Sequence, residues 1–438
     1  MKPILFFLPA LCVLPLQAQE AWDLKQCIDY AIGHNVTVKQ QETARQQSEV
    51  ELNTARWSRL PNLNGNASYS FNFGRSLQPD NTYQSNNVQS NNLSLSTSVP
   101  LFTGMRIPHT IALQKLNLKA ATADLEKVKD DISIQIAAAY LQVLYTQELA
   151  TIAHHQVALS QELLAQKQAY LENGKASEAE WLEAKARVAQ DELSAVQADN
   201  DRRMALLDLS QLLELPTPDG FAIVSPLLDE RHLAASLVPP ADIFEEAVLT
   251  KPVIKAARYR LEGAEHSIRI AQSAYYPHLD FSAGIGSNYY KRNNNYNSSY
   301  GTQLKDNFSQ YVGLSLSIPL FNRFATRNQV RSARLQKDAL GWQLEEARKL
   351  LYKEIQQAYY NAVNAESQYR SSTTADEAAE ASFRLMKEKY ATGKANATEY
   401  NESRTAWLKA VSNRLQAKYD FVFRSKILDF YRGIPLEL

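Results

Sequence analysis

The side chains able to do chemistry in this 438-residue chain are few, and none is spaced for catalysis. His154 and His155 are adjacent, so on a helix they point about 100° apart, and no carboxylate or third histidine stands where it would complete a metal site. Glu399 and Glu402 lie one helical turn apart on one face, a pairing that in most helices is a solvated surface. No glycine-rich phosphate loop, nucleophile triad or paired catalytic carboxylate motif occurs. The pattern predicts no enzyme, no metal and no cofactor. Lys and Arg number 47, as do Asp and Glu. With no basic excess to neutralise phosphates, a nucleic-acid partner is not expected.

What organises the chain is length. Residues 105–173 contain no glycine and one proline, Pro108, placed where a first helical turn tolerates it. Apolar or small residues recur by sevens at Leu118, Leu125, Ile132 and Ala139, then, after one skip in phase, at Tyr145, Ile152 and Leu159. That is a coiled-coil pattern. At 1.5 Å per residue the helix would be ~100 Å long, too long for a compact domain. A twin spans 322–392, interrupted only by Gly341.

The start of the chain reads as an export signal: Lys2, an apolar core at 4–16, and a cleavage site at Leu16-Gln17-Ala18. Its apolar run is too short, and too broken by Pro3, Pro9 and Pro15, to span a membrane. Cleavage after Ala18 leaves Cys27 as the sole cysteine, so no internal disulfide forms. Beyond residue 20 no stretch has eighteen consecutive apolar residues, so any bilayer must be met with strands.

The chain repeats itself. Ala55…Pro61-Asn62-Leu63 returns as Ala271…Pro277-His278-Leu279, and Ser98-Val99-Pro100-Leu101-Phe102 as Ser317-Ile318-Pro319-Leu320-Phe321. Gly174-Lys175-Ala176 and Glu180 return as Gly393-Lys394-Ala395 and Glu399. Five parts follow: a signal peptide at 1–18, a first repeat at 19–215, a proline-rich link at 216–242, a second repeat at 243–426 and a tail at 427–438. Each repeat is predicted to run helix (about 23–58, then 243–274), two strands, long helix, turn and returning helix (about 177–215, then 397–426). Gly33 and Pro252 are expected to break the first helix of each repeat.

Four segments alternate with period two: Ala67, Tyr69, Phe71 and Phe73; Leu93, Leu95 and Val99; Leu279, Phe281, Ala283 and Ile285; Val312, Leu314, Leu316 and Ile318. Each is about ten residues, the length that crosses a bilayer as a tilted strand. An ordinary half-buried hairpin would show the same alternation. The intervening polar positions, however, are almost wholly Ser, Asn and Gly, which suits a wet lumen, and aromatics such as Trp57, Phe102, Tyr275 and Phe321 gather at the strand ends. Long loops are expected at 76–92 and 287–307. Pro61, Pro100, Pro277 and Pro319 mark the strand–helix junctions. Four strands cannot close a membrane barrel and an open edge cannot face lipid, so several chains must share one. Three would give twelve strands and a matching helical tube; symmetry alone does not fix that number.

The proline-flanked strands, the Pro-Leu-Phe after each second strand and the Tyr…Gly-Lys-Ala turns resemble the TolC-like outer membrane factor family, across essentially the whole mature chain. The resemblance implies a mainly α fold with a transmembrane β part: a long coiled-coil helical barrel through the periplasm and a twelve-stranded β-barrel, four strands per chain, formed by a homotrimer in the outer-membrane lipid. It implies a periplasmic adaptor and an inner-membrane proton-driven or ATP-driven transporter as partners. It places a gate on Glu399 and Glu402, with Glu180, Lys394 and Tyr400 beside it. Ala395 stands where the family has a basic residue that pairs with the acid at position 180, so the lock is rebuilt around Lys394 or missing, with Tyr400, Tyr390 and helix packing taking more of the load. At ~6 Å and an effective dielectric of ~20, two such carboxylates repel by roughly 3 kcal/mol. Adaptor docking falls, by the same resemblance, on Gly174, Lys175, Ala176 and Ser177 and on Gly393, Lys394, Ala395 and Asn396. The function implied is an exit duct for efflux or secretion. The rival readings are a periplasm-spanning coiled-coil tether and a passive porin.

Overall fold

The computed structural model describes residues 21–77, 81–85, 87–218, 220–226, 237–292 and 298–438. The export signal at 1–18 and part of the link, 227–236, lie outside these residues. Packing divides the chain into two units. One comprises the chain up to Gln40, Glu126–Lys251 and Leu350–Leu438; the other comprises Gln41–Leu125 and Pro252–Lys349. Each unit takes matching pieces of both repeats, so packing runs across the duplication.

The first repeat opens with α1 (Leu24–His34) and α2 (Val36–Trp57). Asp23 and Gln26 form a capping box at the start of α1. Gly33 does not break the helix. The break falls at Asn35, whose backbone turns out (φ −59°, ψ 131°) while its Oδ1 accepts from the Thr37 N–H at 2.9 Å and its amide donates to the Leu212 carbonyl at 3.2 Å. A side chain that re-satisfies the freed backbone outweighs the weak helix preference of glycine. In the second repeat α5 (Pro240–Thr250) and α6 (Pro252–Ser273) part at Lys251. Proline pushes the residue before it into extended backbone, and Lys251 has φ −68° and ψ 132°.

A four-stranded antiparallel sheet belongs to the second unit: β1 (Asn64–Asn72), β4 (Val88–Thr103), β5 (His278–Arg292) and β6 (Ser309–Ser317), in the order β1-β4-β5-β6. Register aligns the apolar positions. Val99 faces Phe281, and Phe281 faces Leu314; Leu95 faces Ile285. One face is therefore apolar, and Val312, Leu314 and Leu316 are exposed on it. The other face carries Ser98, Ser282 and Gly313 in line. Glycine has a steric reason at Gly284, where a Cβ would sit 2.7 Å from the Tyr311 ring.

Three junction and loop expectations need correction. Pro100 lies inside β4, next to a register shift between Pro100 and Phe102. The β1 ladder ends at Asn64 opposite Ser96, so the missing N–H of Pro100 points where no strand needs it. The loops are shorter than expected, because β4 starts at Val88 and β5 runs to Arg292. They also contain structure: a hairpin of β2 (Arg75–Leu77) and β3 (Tyr83–Ser85), and helix α7 (Tyr300–Asp306).

The long helices are α3 (Arg106–Glu172) and α8 (Ala325–Ala391), 67 residues each, with Gly341 held inside the second. They return through α4 (Glu178–Leu212) and α9 (Ala397–Tyr431), 35 residues each. Helix α9 continues five residues past 426 into the expected tail. Leu428 is buried there, and the Phe430 ring lies 3.7 Å under the Lys251 ammonium, so packing extends the helix. Tyr140, Ile136, Leu144 and Leu209 form the centre of the first unit's core.

Candidate functional site at the helix tips

The candidate gate and docking residues gather where α3 turns into α4 and α8 into α9. Both turns are Schellman motifs. Gly174 N–H bonds the Leu171 carbonyl and Lys175 N–H the Tyr170 carbonyl; Gly393 and Lys394 repeat this onto Tyr390 and Lys389. The glycines need their left-handed backbone, φ +68° and +71°, and not for lack of space, since a Cβ on either would meet nothing within 4 Å. Ser177 and Asn396 then cap α4 and α9.

Glu180 and Glu399 occupy the same third helical position in their repeats and behave differently. Glu399 closes a capping box: its Oε2 accepts from the Asn396 N–H at 3.0 Å while Asn396 Oδ1 accepts from the Glu399 N–H at 2.8 Å. Glu180 turns instead to Lys167 on α3, whose ammonium donates to its Oε2 at 2.8 Å. Lys167 also lies 5.1 Å from the centre of the Tyr390 ring. Burial pulls that ammonium's pKa down, but Glu180 and Tyr390 outweigh it and hold it above the ordinary lysine value. Lys394 is exposed and makes no ion pair among the described residues. The partner of Glu180 is thus Lys167, a residue that sequence reading passed over because it precedes the turn.

Tyr390 stacks on Tyr400 with ring centres 4.8 Å apart, and Tyr400 touches Phe383, which stacks on Trp407. Tyr400 is buried, and burial raises its hydroxyl pKa. Beneath this aromatic cluster Arg404 is almost fully enclosed. Its guanidinium donates to Gln156 Oε1 at 2.7 Å and to Asp191 Oδ2 at 2.7 Å. Arg187 shares that aspartate at 3.4 Å. Glu402 stays exposed and faces the same shallow groove as Glu399, Ser382 and Met386. His154 bonds Asp199 at 2.9 Å. The tips therefore hold aromatic stacking, one lysine-centred ion pair and a buried arginine clasp, with an exposed acidic edge.

Each repeat folds into a long helical hairpin, and the four-stranded sheet is apolar on an exposed face with no strand paired beyond β1 or β6 among the described residues. The profile of the outer membrane efflux protein family matches twice, at 27–214 and 243–430. The chain belongs to that family, and its place is the outer membrane. It is 23% identical to the outer membrane protein TolC of Escherichia coli over 92% of this chain and 80% of that one. It is 22% identical to the alkaline protease secretion protein AprF of Pseudomonas aeruginosa over 69% of this chain, a match that spans 62% of AprF, less than two thirds of its length. The solved CmeC outer membrane channel of Campylobacter jejuni shares the fold with a TM-score of 0.74 at 20% identity, covering 94% of this chain and 86% of that one.

Proposed function

We propose that this chain is one subunit of an outer-membrane exit duct through which a tripartite efflux or secretion system passes its substrate. The observation that carries the reading is the sheet. Its outer strands β1 and β6 are nine residues each and have no main-chain partner beyond them among the described residues, while its apolar face is exposed. In hydrocarbon each unpaired backbone group costs several kcal/mol, so β1 of one copy must meet β6 of the next. Three copies give a twelve-stranded barrel, and their paired hairpins a helical barrel. The repeats run 19–215 and 243–426 with the link 216–242 between them, and the chain performs transport rather than catalysis.

The helix tips form the closable end. Glu402 is the exposed acid that lines it, Glu399 holds the α9 cap beside it, and Glu180 is tied back by Lys167. The Tyr390–Tyr400 stack packs the tip from inside. The grooves beside Gly174–Ser177 and Gly393–Asn396 receive a periplasmic adaptor, which joins the duct to a proton-driven or ATP-driven pump in the inner membrane; secretion of a protease, in AprF's name, illustrates one cargo class. A tether would not need a sheet with a lipid-compatible face, and a porin would not need two 67-residue helices. Light scattering of the detergent-solubilised protein tests the assembly: three copies per particle are expected, and a stable single copy overturns the reading.

A further inference from the structure

The chain's net charge is zero, yet its charges are segregated around the sheet. No Asp or Glu occurs in 52–79, 81–123, 266–279 or 307–337, the stretches that hold all four strand–helix junctions. Six arginines stand in them beside the junctions: Arg56, Arg59, Arg106, Arg269, Arg323 and Arg327. All are exposed. Arg106 is the first residue of α3, Arg327 the third of α8, Arg56 the last but one of α2, and Arg269 lies four from the end of α6. Arg59 and Arg323 are in the connecting segments. The four on helices lie within about 6 Å, along the axis, of the helix end that faces the junction.

None of the six makes an ion pair among the described residues, whereas arginines farther along the same helices do: Arg45 with Glu42, Arg348 with Glu345, Arg370 with Glu366. Their hydrogen-bond and ring partners among the described residues are neutral, although Arg269 also feels the Glu265 carboxylate one turn back, which Lys337 holds at 2.8 Å. Arg56 donates to Asn53, Arg269 to Gln272, and Arg327 lies against the Phe324 ring. Directly on the sheet side stand exposed aromatic and aliphatic groups: Leu320 at 93%, Phe321 at 74% and Trp57 at 64%. An apolar band, an aromatic girdle and then a cationic ring is the sequence of environments met on leaving hydrocarbon for a headgroup layer. That layer is about 5–7 Å deep on each side, comparable to the distance of the four helical arginines from their helix ends.

We infer that these six arginines form a collar that binds the phosphates of anionic glycerophospholipids on the periplasmic side of the membrane. The inference rests on the reading of the sheet as a barrel wall. A guanidinium matches a phosphodiester with two parallel N–H donors, which an ammonium does not, and none of these six is held in an ion pair among the described residues. The occupant is lipid because the collar is continuous with the apolar face of β6 and its girdle.

The test uses the full protein reconstituted in phosphatidylcholine bilayers doped with spin-labelled phosphatidylglycerol or spin-labelled phosphatidylcholine. The relative association constant of phosphatidylglycerol should exceed that of phosphatidylcholine about fivefold, and high salt should shrink the preference. The sixfold Arg→Gln variant should bring the ratio near one, and the sixfold Arg→Lys variant should fall between that and the natural protein. Equal association of both lipids with the natural protein overturns the collar. So does a Gln variant that keeps its lipid preference while its ion selectivity changes, because the arginines would then line the lumen. Failure of the natural protein to insert into either bilayer as a channel sinks the barrel reading itself, and is distinguishable from both.

Discussion

The guanidinium of Arg404 and the carboxylate of Asp191 meet at 2.7 Å, 213 residues apart in sequence, with side chains only 3% and 7% exposed. The pair joins α9 to α4, and Gln156 adds α3, so one arginine ties the first repeat's hairpin to the second's. The positions equivalent by the repeat, Lys185 and Ala410, do not form such a pair. Removing Asp191 strands the buried guanidinium and should cost about 3–5 kcal/mol, while replacing both with apolar residues of similar size costs much less. Asp191→Leu should therefore lower the unfolding midpoint in detergent sharply, and Asp191→Leu with Arg404→Leu should recover most of the loss. Equal midpoints for the single and double variants would show that the two groups do not act as a pair.

Lys167 is the only ammonium paired with Glu180 among the described residues. Lys167→Gln should loosen the Tyr390 and Glu180 contacts and raise the conductance of the resting channel in planar bilayers, with overall stability changed by no more than about 1 kcal/mol, as for a partly exposed pair. Lys394→Gln should leave resting conductance unaltered. The reverse ranking of the two variants would return the lock to Lys394.

Gly393 holds φ +71° with open space around it. Ala there should cost about 1–2 kcal/mol from backbone conformation alone, and Asn distinctly less, because Asn tolerates the left-handed region. Thermal unfolding of the three proteins checks the order; an Asn variant as weak as the Ala variant would mean that the positive φ does not select glycine there.

Glu354 lies in the first unit. Burial raises its carboxyl pKa above the ordinary value, Lys127 opposes the rise and Asp131 adds to it. The folded state thus keeps a proton that the unfolded chain has released. This contribution to stability is full below the unfolded value of about 4.5 and fades as pH climbs through the raised folded value. Unfolding midpoints should fall as pH rises through that window, and Glu354→Gln should flatten that part of the profile. A slope unchanged in Glu354→Gln assigns the effect elsewhere.

The long helices and the four strands are legible in the sequence because each follows one period for many residues, at Leu118–Leu159 by sevens and at Leu93–Val99 by twos. Where a single residue decides, reading fails. Asn35 ends α1 because its side chain finds a carbonyl at Leu212, 177 positions away. The extension of α9 to Tyr431 depends on Lys251. Pro100 is tolerated within β4 because β1 stops at Asn64. The Arg404 clasp was invisible for the same reason: its partners, Gln156 and Asp191, come from other helices, and no local spacing announces them.

Single-channel recording of the purified protein in planar lipid bilayers bears most directly on the duct. Stepwise, ohmic conductance that appears with insertion is the predicted result, smaller in the resting protein than in Lys167→Gln. A protein that stays monomeric and folded without detergent, and that adds no conductance to the bilayer, would contradict the account.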